Sequence, residues 1–263
     1  MSYCTLADLK LYLGVSSATS SDDDLLQQML NAASARIDSF CQRKFYAAGD
    51  TTRYFDPLSD VSGDYLFFDD DLAYLTSVTD GAGTNITASV VTQPRNFTPF
   101  YGVKIKSQSS YYFTYNTDHE NAISVVGRWA YMNSARVTAI TRDNNTVTAS
   151  CVSDVPVGAT VTVLGFSDSA WHGEFTVLTN TGTSITWHQT HANGSDGGGY
   201  ILYIPADIVQ ACKRLAAWLF RQKDTQMGDS DRPILAGDGS VIMPSTLPQD
   251  VTSTLKIYQR RVR

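Results

Sequence analysis

A chain of 263 residues with 43% hydrophobic side chains is long enough for one large domain or two smaller ones, with a substantial core. A formal net charge of −6 and no basic stripe argue against tight nucleic-acid binding through phosphate neutralisation, although an acidic surface can face DNA without gripping it. No apolar run reaches the ~18–20 residues that span a bilayer, and MSYCTLADLK lacks a charged region followed by an apolar one, so no membrane span or secretory signal is expected.

Residues 5–14, TLADLKLYLG, predict a short helix. Thr5 caps it, Asp8 completes a capping box, Leu6, Leu9 and Leu13 share a face, and Gly14 stops it. A polar link, VSSATS, leads to the strongest element, residues 22–45. There Leu26, Leu30, Ala33, Ile37 and Phe40 draw one apolar stripe. Ser20 or Ser21 is the expected cap, and Asp22, Asp23 and Asp24 suit the positive end of the helix dipole. Two helices joined this closely should pack their stripes together.

After Phe45 the pattern turns to β. Aromatic and β-branched runs at 51–55, 64–68, 73–79, 86–92, 102–106 and 123–129 predict short strands. Asp69, Asp70 and Asp71 read as a solvated turn, because a calcium loop would need a different oxygen spacing and a glycine. Residues 132–203 show no helix signal; strands are expected at 136–141, 145–151, 159–164, 173–179 and 184–188. Their regular spacing suggests a small antiparallel barrel or sandwich. Gly197–Gly199 lacks the ending of a phosphate loop and reads as a flexible connection.

Helical texture returns at Pro205, and residues 205–222 carry a wide apolar face from Ile208 to Phe220. Residues 228–239 read as a loop, and a last helix is expected from Pro248 to Arg260. Val251, Leu255 and Tyr258 mark its face, and Arg260, Arg261 and Arg263 complement its C-terminal end. The expected fold class is therefore α+β: a small core of about four helices with short antiparallel strands, interrupted by an inserted all-β barrel or sandwich. The corresponding domains are 1–131 with 204–263, and 132–203.

No local signature of catalysis is present, so enzymatic activity is not expected. His188 and His191 stand three apart in a strand-and-turn setting and read as surface residues, so neither a metal nor a cofactor is expected. Cys4, Cys41, Cys151 and Cys212 form no CxxC spacing and read as reduced thiols. Trp129 and Tyr131 have two readings, core packing or an aromatic anchor at a subunit interface. Tyr258 with the terminal arginines is either a docking tail or an ordinary helix end. A β module that recognises a carbohydrate or host surface ligand is the alternative function; an exposed cluster around Trp171 and Trp187 would favour it, and their burial would favour plain core.

The order of these pieces resembles the head–tail connector (adaptor) proteins of tailed bacteriophages. The resemblance rests on TLADLKLYLGV followed by DDDLLQQMLNAASARIDSFCQRKF, on ISVVGRWAYM, on IPADIVQACKRLAAWLFRQ, and on LPQDVTSTLKIYQRR. Ala130 departs from the family's usual glycine, and residues 132–203 intervene where the family passes almost directly to the Pro-led helix. The resemblance implies a virion neck protein made in the host cytoplasm. It would form a homo-oligomeric ring of about twelve subunits between the portal and a tail or tail-completion protein, with DNA passing through its channel and no membrane contact. It also implies that the C-terminal segment reaches the portal, so Leu255, Tyr258, Arg260 and Arg261 are the expected contacts. Truncation before Pro248 is then expected to abolish docking while leaving the fold intact, and 132–203 is expected to project outward.

Overall fold

The computed structural model describes residues 2–222, 234–235, 241–242 and 247–260. Among them are four α-helices and several antiparallel sheets, so the fold is α+β. The chain divides into a helical unit, residues 1–43 with 206–263, and a β unit, residues 44–205.

In the helical unit, α1 (Leu6–Leu13) starts on the expected capping box: the Thr5 hydroxyl accepts from the Asp8 N–H, and the Asp8 carboxylate accepts from the Thr5 N–H. Gly14 ends it at φ 71°, a left-handed conformation that glycine adopts without steric cost. α2 (Asp23–Cys41) buries Leu26, Leu30, Ala33 and Ile37 of the predicted stripe, with Ser34 and Cys41, while Phe40 is half-buried. Neither Ser20 nor Ser21 caps it; Asp22 is the cap residue and makes no side-chain capping bond. The acidic start is used differently. Lys10 Nζ, on a side chain that is 5% exposed as a residue, lies 2.5 Å from Asp23 Oδ1 and donates to the Thr19 carbonyl at 2.7 Å. The polar link thus wraps around a buried ammonium, which needs such partners to leave water.

α3 (Ala206–Gln222) buries Ile208, Ala211, Cys212, Leu215 and Ala216, and packs against α1, α2 and α4 (Gln249–Tyr258). Arg214 Nε reaches Asp250 Oδ2 at 2.5 Å between α3 and α4. Of the loop expected at 228–239, Ile234 and Leu235 are described; they pair with Val241 and Ile242, and the rest lies outside the described residues. No described helix is long and apolar enough to cross a membrane.

The β unit opens with β1 (Thr51–Phe55), β2 (Val61–Ser62), β3 (Tyr65–Thr79), β4 (Val90–Gln93), β5 (Phe100–Ile105) and β6 (Ile123–Trp129). They form an antiparallel sheet in the order β1-β6-β3-β5-β4, with β2 against β3. The two strands expected at 64–68 and 73–79 are one 15-residue strand, and Asp69–Asp71 lie inside it rather than in a turn. The register slips between Phe67 and Leu72, so the inward-facing set changes phase across the acidic run. Arg53 of β1 supplies the countercharge, at 2.5 Å from Asp70 and 3.4 Å from Asp69. The expected strand at 86–92 is shortened by a 3-10 turn, Thr87–Ser89. Gly127 lets β6 approach β3, because a Cβ there would stand 2.3 Å from the Tyr74 carbonyl oxygen.

Nine strands follow: β7 (Asn133–Arg136), β8 (Ala139–Asp143), β9 (Thr146–Ser150), β10 (Thr160–Leu164), β11 (Gly173–Thr176), β12 (Thr179–Asn180), β13 (Ser184–His188), β14 (Gly194–Asp196) and β15 (Tyr200–Tyr203). They make two sheets, β11-β10-β15-β7 and β12-β13-β9-β8-β14. The expected strands at 136–141 and 173–179 are each two strands. One apolar core serves both sheets, with Val161, Val163 and Ile201 from the first and Ile140, Val147, Ile185 and Trp187 from the second. This is a two-sheet arrangement with no closed barrel among the described residues. A further cluster joins it to the preceding sheet: Ala73, Ala130 and Met132 pack with Leu164 and Leu202.

One turn of the β unit makes stability depend on pH. Asp56 accepts from the Leu58 N–H at 2.7 Å and pairs with His119 Nδ1 at 2.9 Å. The Leu58 hydrogen bond, with His119 beside it, holds the Asp56 carboxyl below its usual value. A folded-state value below the unfolded one stabilises at pH above the unfolded value, about 3.9, and that contribution is lost as pH falls through the folded value. Asp56→Asn should therefore reduce the acid-side fall in stability, read from urea midpoints at neutral pH and below pH 4. An unchanged pH profile would show that the turn does not contribute.

Candidate interaction surfaces

Trp129 ends β6, where alternation directs every second side chain inward. It is 4% exposed, donates from Nε1 to the Thr51 carbonyl at 3.0 Å, and meets Phe68 edge-on at 5.1 Å. The Arg53 guanidinium lies 4.8 Å from its ring centre. Of the two readings, core packing is the one these contacts describe within the chain. Tyr131 is half-buried; its N–H donates to the Lys44 carbonyl at 2.7 Å and its ring lies 5.7 Å from Phe45.

The three described C-terminal candidates differ in their surroundings. Leu255 is fully buried, and the Cys41 thiol donates to its carbonyl. Tyr258 is half-buried and donates from its hydroxyl to Asp207 Oδ2 at 3.3 Å. Arg260 follows the helix and anchors its backbone N–H on the Cys41 carbonyl at 2.9 Å. Arg261 lies outside the described residues, as does Arg263. Because Val251 and Leu255 are core residues, truncation before Pro248 would remove part of the helical core, so the expectation of an intact fold is corrected.

Sequence reasoning passed over Ile257, which is 78% exposed on α4. A signal was available: Ile257 falls off the Val251, Leu255, Tyr258 stripe, so an apolar side chain there faces away from the core. Leu11, 82% exposed on α1, is the same kind of exception. On the first sheet, Tyr65 and Phe67 stack at 6.2 Å on the exposed face, with Lys104 Nζ 4.8 Å from the Tyr65 ring centre.

In the two-sheet region, Trp171 and Trp187 are both buried. Trp187 stacks on Phe175 at 5.5 Å, and the Arg142 guanidinium lies 4.3 Å from the Trp171 ring centre. The exposed aromatic cluster required by the ligand-recognition reading is therefore not formed by these residues. His188 and His191 are exposed, and His191 Nδ1 lies 2.9 Å from an Arg142 nitrogen, an arrangement in which the imidazole accepts. No group of three or more metal-ligating side chains converges among the described residues.

A cleft of about 570 Å³ in the β unit is lined by Asp50, Tyr74, Arg128, His172 and Glu174, among others. Its polar groups are engaged with each other. Arg128 Nε donates to Asp50 at 2.6 Å, the Thr76 hydroxyl to the same carboxylate at 2.5 Å, and Tyr46 to Glu174. His172 Nε2 accepts from the Phe166 N–H at 3.1 Å. Burial and the Glu174 contact push the Tyr46 phenol up to about 12. The network tethers strands rather than presenting a poised acid or base.

Comparison with known proteins finds two similarities. Residues 3–64 match the family model described as Phage gp6-like head-tail connector protein. The matched segment runs through α1, α2, β1 and β2. A solved structure, "Neck of empty GTA particle computed with C6 symmetry", is similar at 12% identity and a TM-score of 0.41, covering 99% of this chain and 92% of that chain. No curated protein matches.

Proposed function

We propose that this chain, whose residues 3–64 match a phage head–tail connector family, assembles into a ring between the portal and the tail, with DNA passing through the channel. The family match is the observation that carries this reading. The ring would sit at the virion neck, about twelve copies strong, with a tail or tail-completion protein on its other side. Its interface would be heterologous, one face of a subunit meeting a different face of the next. A net charge of −6 suits a channel that lets phosphate slide rather than holding it.

The portal contact would fall to Ile257 and Tyr258 of α4 and to Arg260 just past it, with Arg261 beyond, while Leu255 positions the helix from behind. Trp129 would stiffen the sheet, and Tyr131, half-buried beside it, is the better placed of the two for a subunit contact. Residues 132–203 would project outward as a decoration. The pairing of Asn133 with Tyr203 supports an insertion, since its two ends lie side by side. Electron microscopy of the purified chain with its cognate portal tests the function. A ring with an axial channel on the portal's narrow end is the expected result; a monomer that leaves the portal bare would overturn it.

A further inference from the structure

Cys4 precedes α1 and Cys212 sits in the middle of α3, yet their sulfurs lie 3.7 Å apart. Both are buried in the helical unit. The Ser34 hydroxyl of α2 lies 3.4 Å from Cys212 Sγ and also accepts from the Tyr3 N–H at 3.0 Å. Tyr3 is further tied to Asp38 through its phenol. The segment carrying Cys4 is therefore pinned to α2 through both the backbone and the side chain of Tyr3.

The two sulfurs are not equivalent. The contact with Cys212 and burial push the Cys4 thiol up, whereas hydrogen bonds from Cys4, from Ser34 and from the Tyr3 and Cys4 N–H groups hold Cys212 below its ordinary value. Negative charge rests more easily on Cys212, and the proton on Cys4. A thiolate beside a thiol is the arrangement in which oxidation ends as a disulfide rather than as an oxidised single sulfur.

We propose that Cys4 and Cys212 form a peroxide-closable cystine pair that locks the N-terminal segment onto α3. Cys212 thiolate attacks hydrogen peroxide; an S–O bond forms, the O–O bond breaks, and the departing hydroxide takes a proton to become water. Cys4 sulfur then attacks the sulfenic acid; the S–S bond forms, the S–O bond breaks, and the Cys4 proton leaves with the hydroxyl as a second water. Two thiols lose two electrons and one peroxide gains them. Closure to the disulfide length of about 2.0 Å needs movement of the sulfurs. Cys4 lies ahead of α1, so non-helical chain can absorb that movement without breaking a helix. The link would close a loop over most of the sequence, the case in which restricting the unfolded chain stabilises most.

The full-length native protein, treated with hydrogen peroxide, tests this by intact mass, peptide mapping and thermal denaturation. The expected result is loss of two hydrogens, a cross-linked peptide containing Cys4 and Cys212, and Cys41 and Cys151 still open to alkylation after unfolding. Tm should rise by about 5 °C or more and return on reduction with dithiothreitol. Cys4→Ser should show neither the mass loss nor the shift; if that variant fails to fold, mapping of the wild-type chain decides alone. Oxygen addition at either cysteine without a cross-link, a cross-link to a different cysteine, or native thiols that resist peroxide would each overturn the proposal.

Discussion

Trp129→Ala is expected to destabilise the β unit by about 3–5 kcal/mol, the range for deleting a buried large aromatic side chain. The indole fills the sheet core beside Phe55 and Phe68, so its removal leaves a cavity that the paired strands can close only by shifting register. It also strips the Thr51 carbonyl of its Nε1 donor and the Arg53 guanidinium of the ring beside it. Urea denaturation of the unassembled chain measures the effect. Loss of ring formation with an unchanged urea midpoint would show that Trp129 is an interface anchor and that its core contacts contribute little.

Ile257→Asp combined with Arg260→Glu is expected to weaken portal docking by about 30-fold or more, the scale of a lost interface hot spot, while Tm stays within about 2 °C. The two changes reverse the character of exposed Ile257 on α4 and of half-buried Arg260 just past it. They spare Val251 and Leu255, and they leave the Arg260 backbone hydrogen bond to Cys41 in place. Leu255→Ala is the contrasting control: it should cost about 2–5 kcal/mol of helical-unit stability. Co-sedimentation with the portal, alongside thermal denaturation, separates the two effects. Normal docking by the double variant would remove α4 from the portal interface.

The helices were legible because each carried agreeing local signals. Thr5, Asp8 and Gly14 bracket α1, and the Leu26 to Ile37 spacing has the period of a helix. β6 was legible from its β-branched and aromatic run, and in the structure burial alternates along Ile123–Trp129. What escaped the sequence depends on partners distant along the chain. Asp69–Asp71 look like a turn until Arg53 is brought across from β1. Lys10 looks solvated until the polar link and Asp23 enclose it. Leu255 and Ile257 are two residues apart and equally apolar, and only the packing of α4 on its neighbours separates a core residue from a surface one. Which side chains of the C-terminal helix are exposed was therefore not legible from the sequence alone.

The helical unit is built from both ends of the chain, with residues 44–205 emitted between α2 and α3. On the ribosome, at ~5–20 residues per second, about 160 residues separate the appearance of α2 from that of α3, a delay of roughly 8–32 s. During that interval the apolar stripe of α2 has α1 but neither α3 nor α4 to cover it. The β unit, contiguous in sequence, is free to fold as it emerges. The helical unit would then be completed after the β unit, when α3 and α4 emerge to cover the waiting stripe of α2.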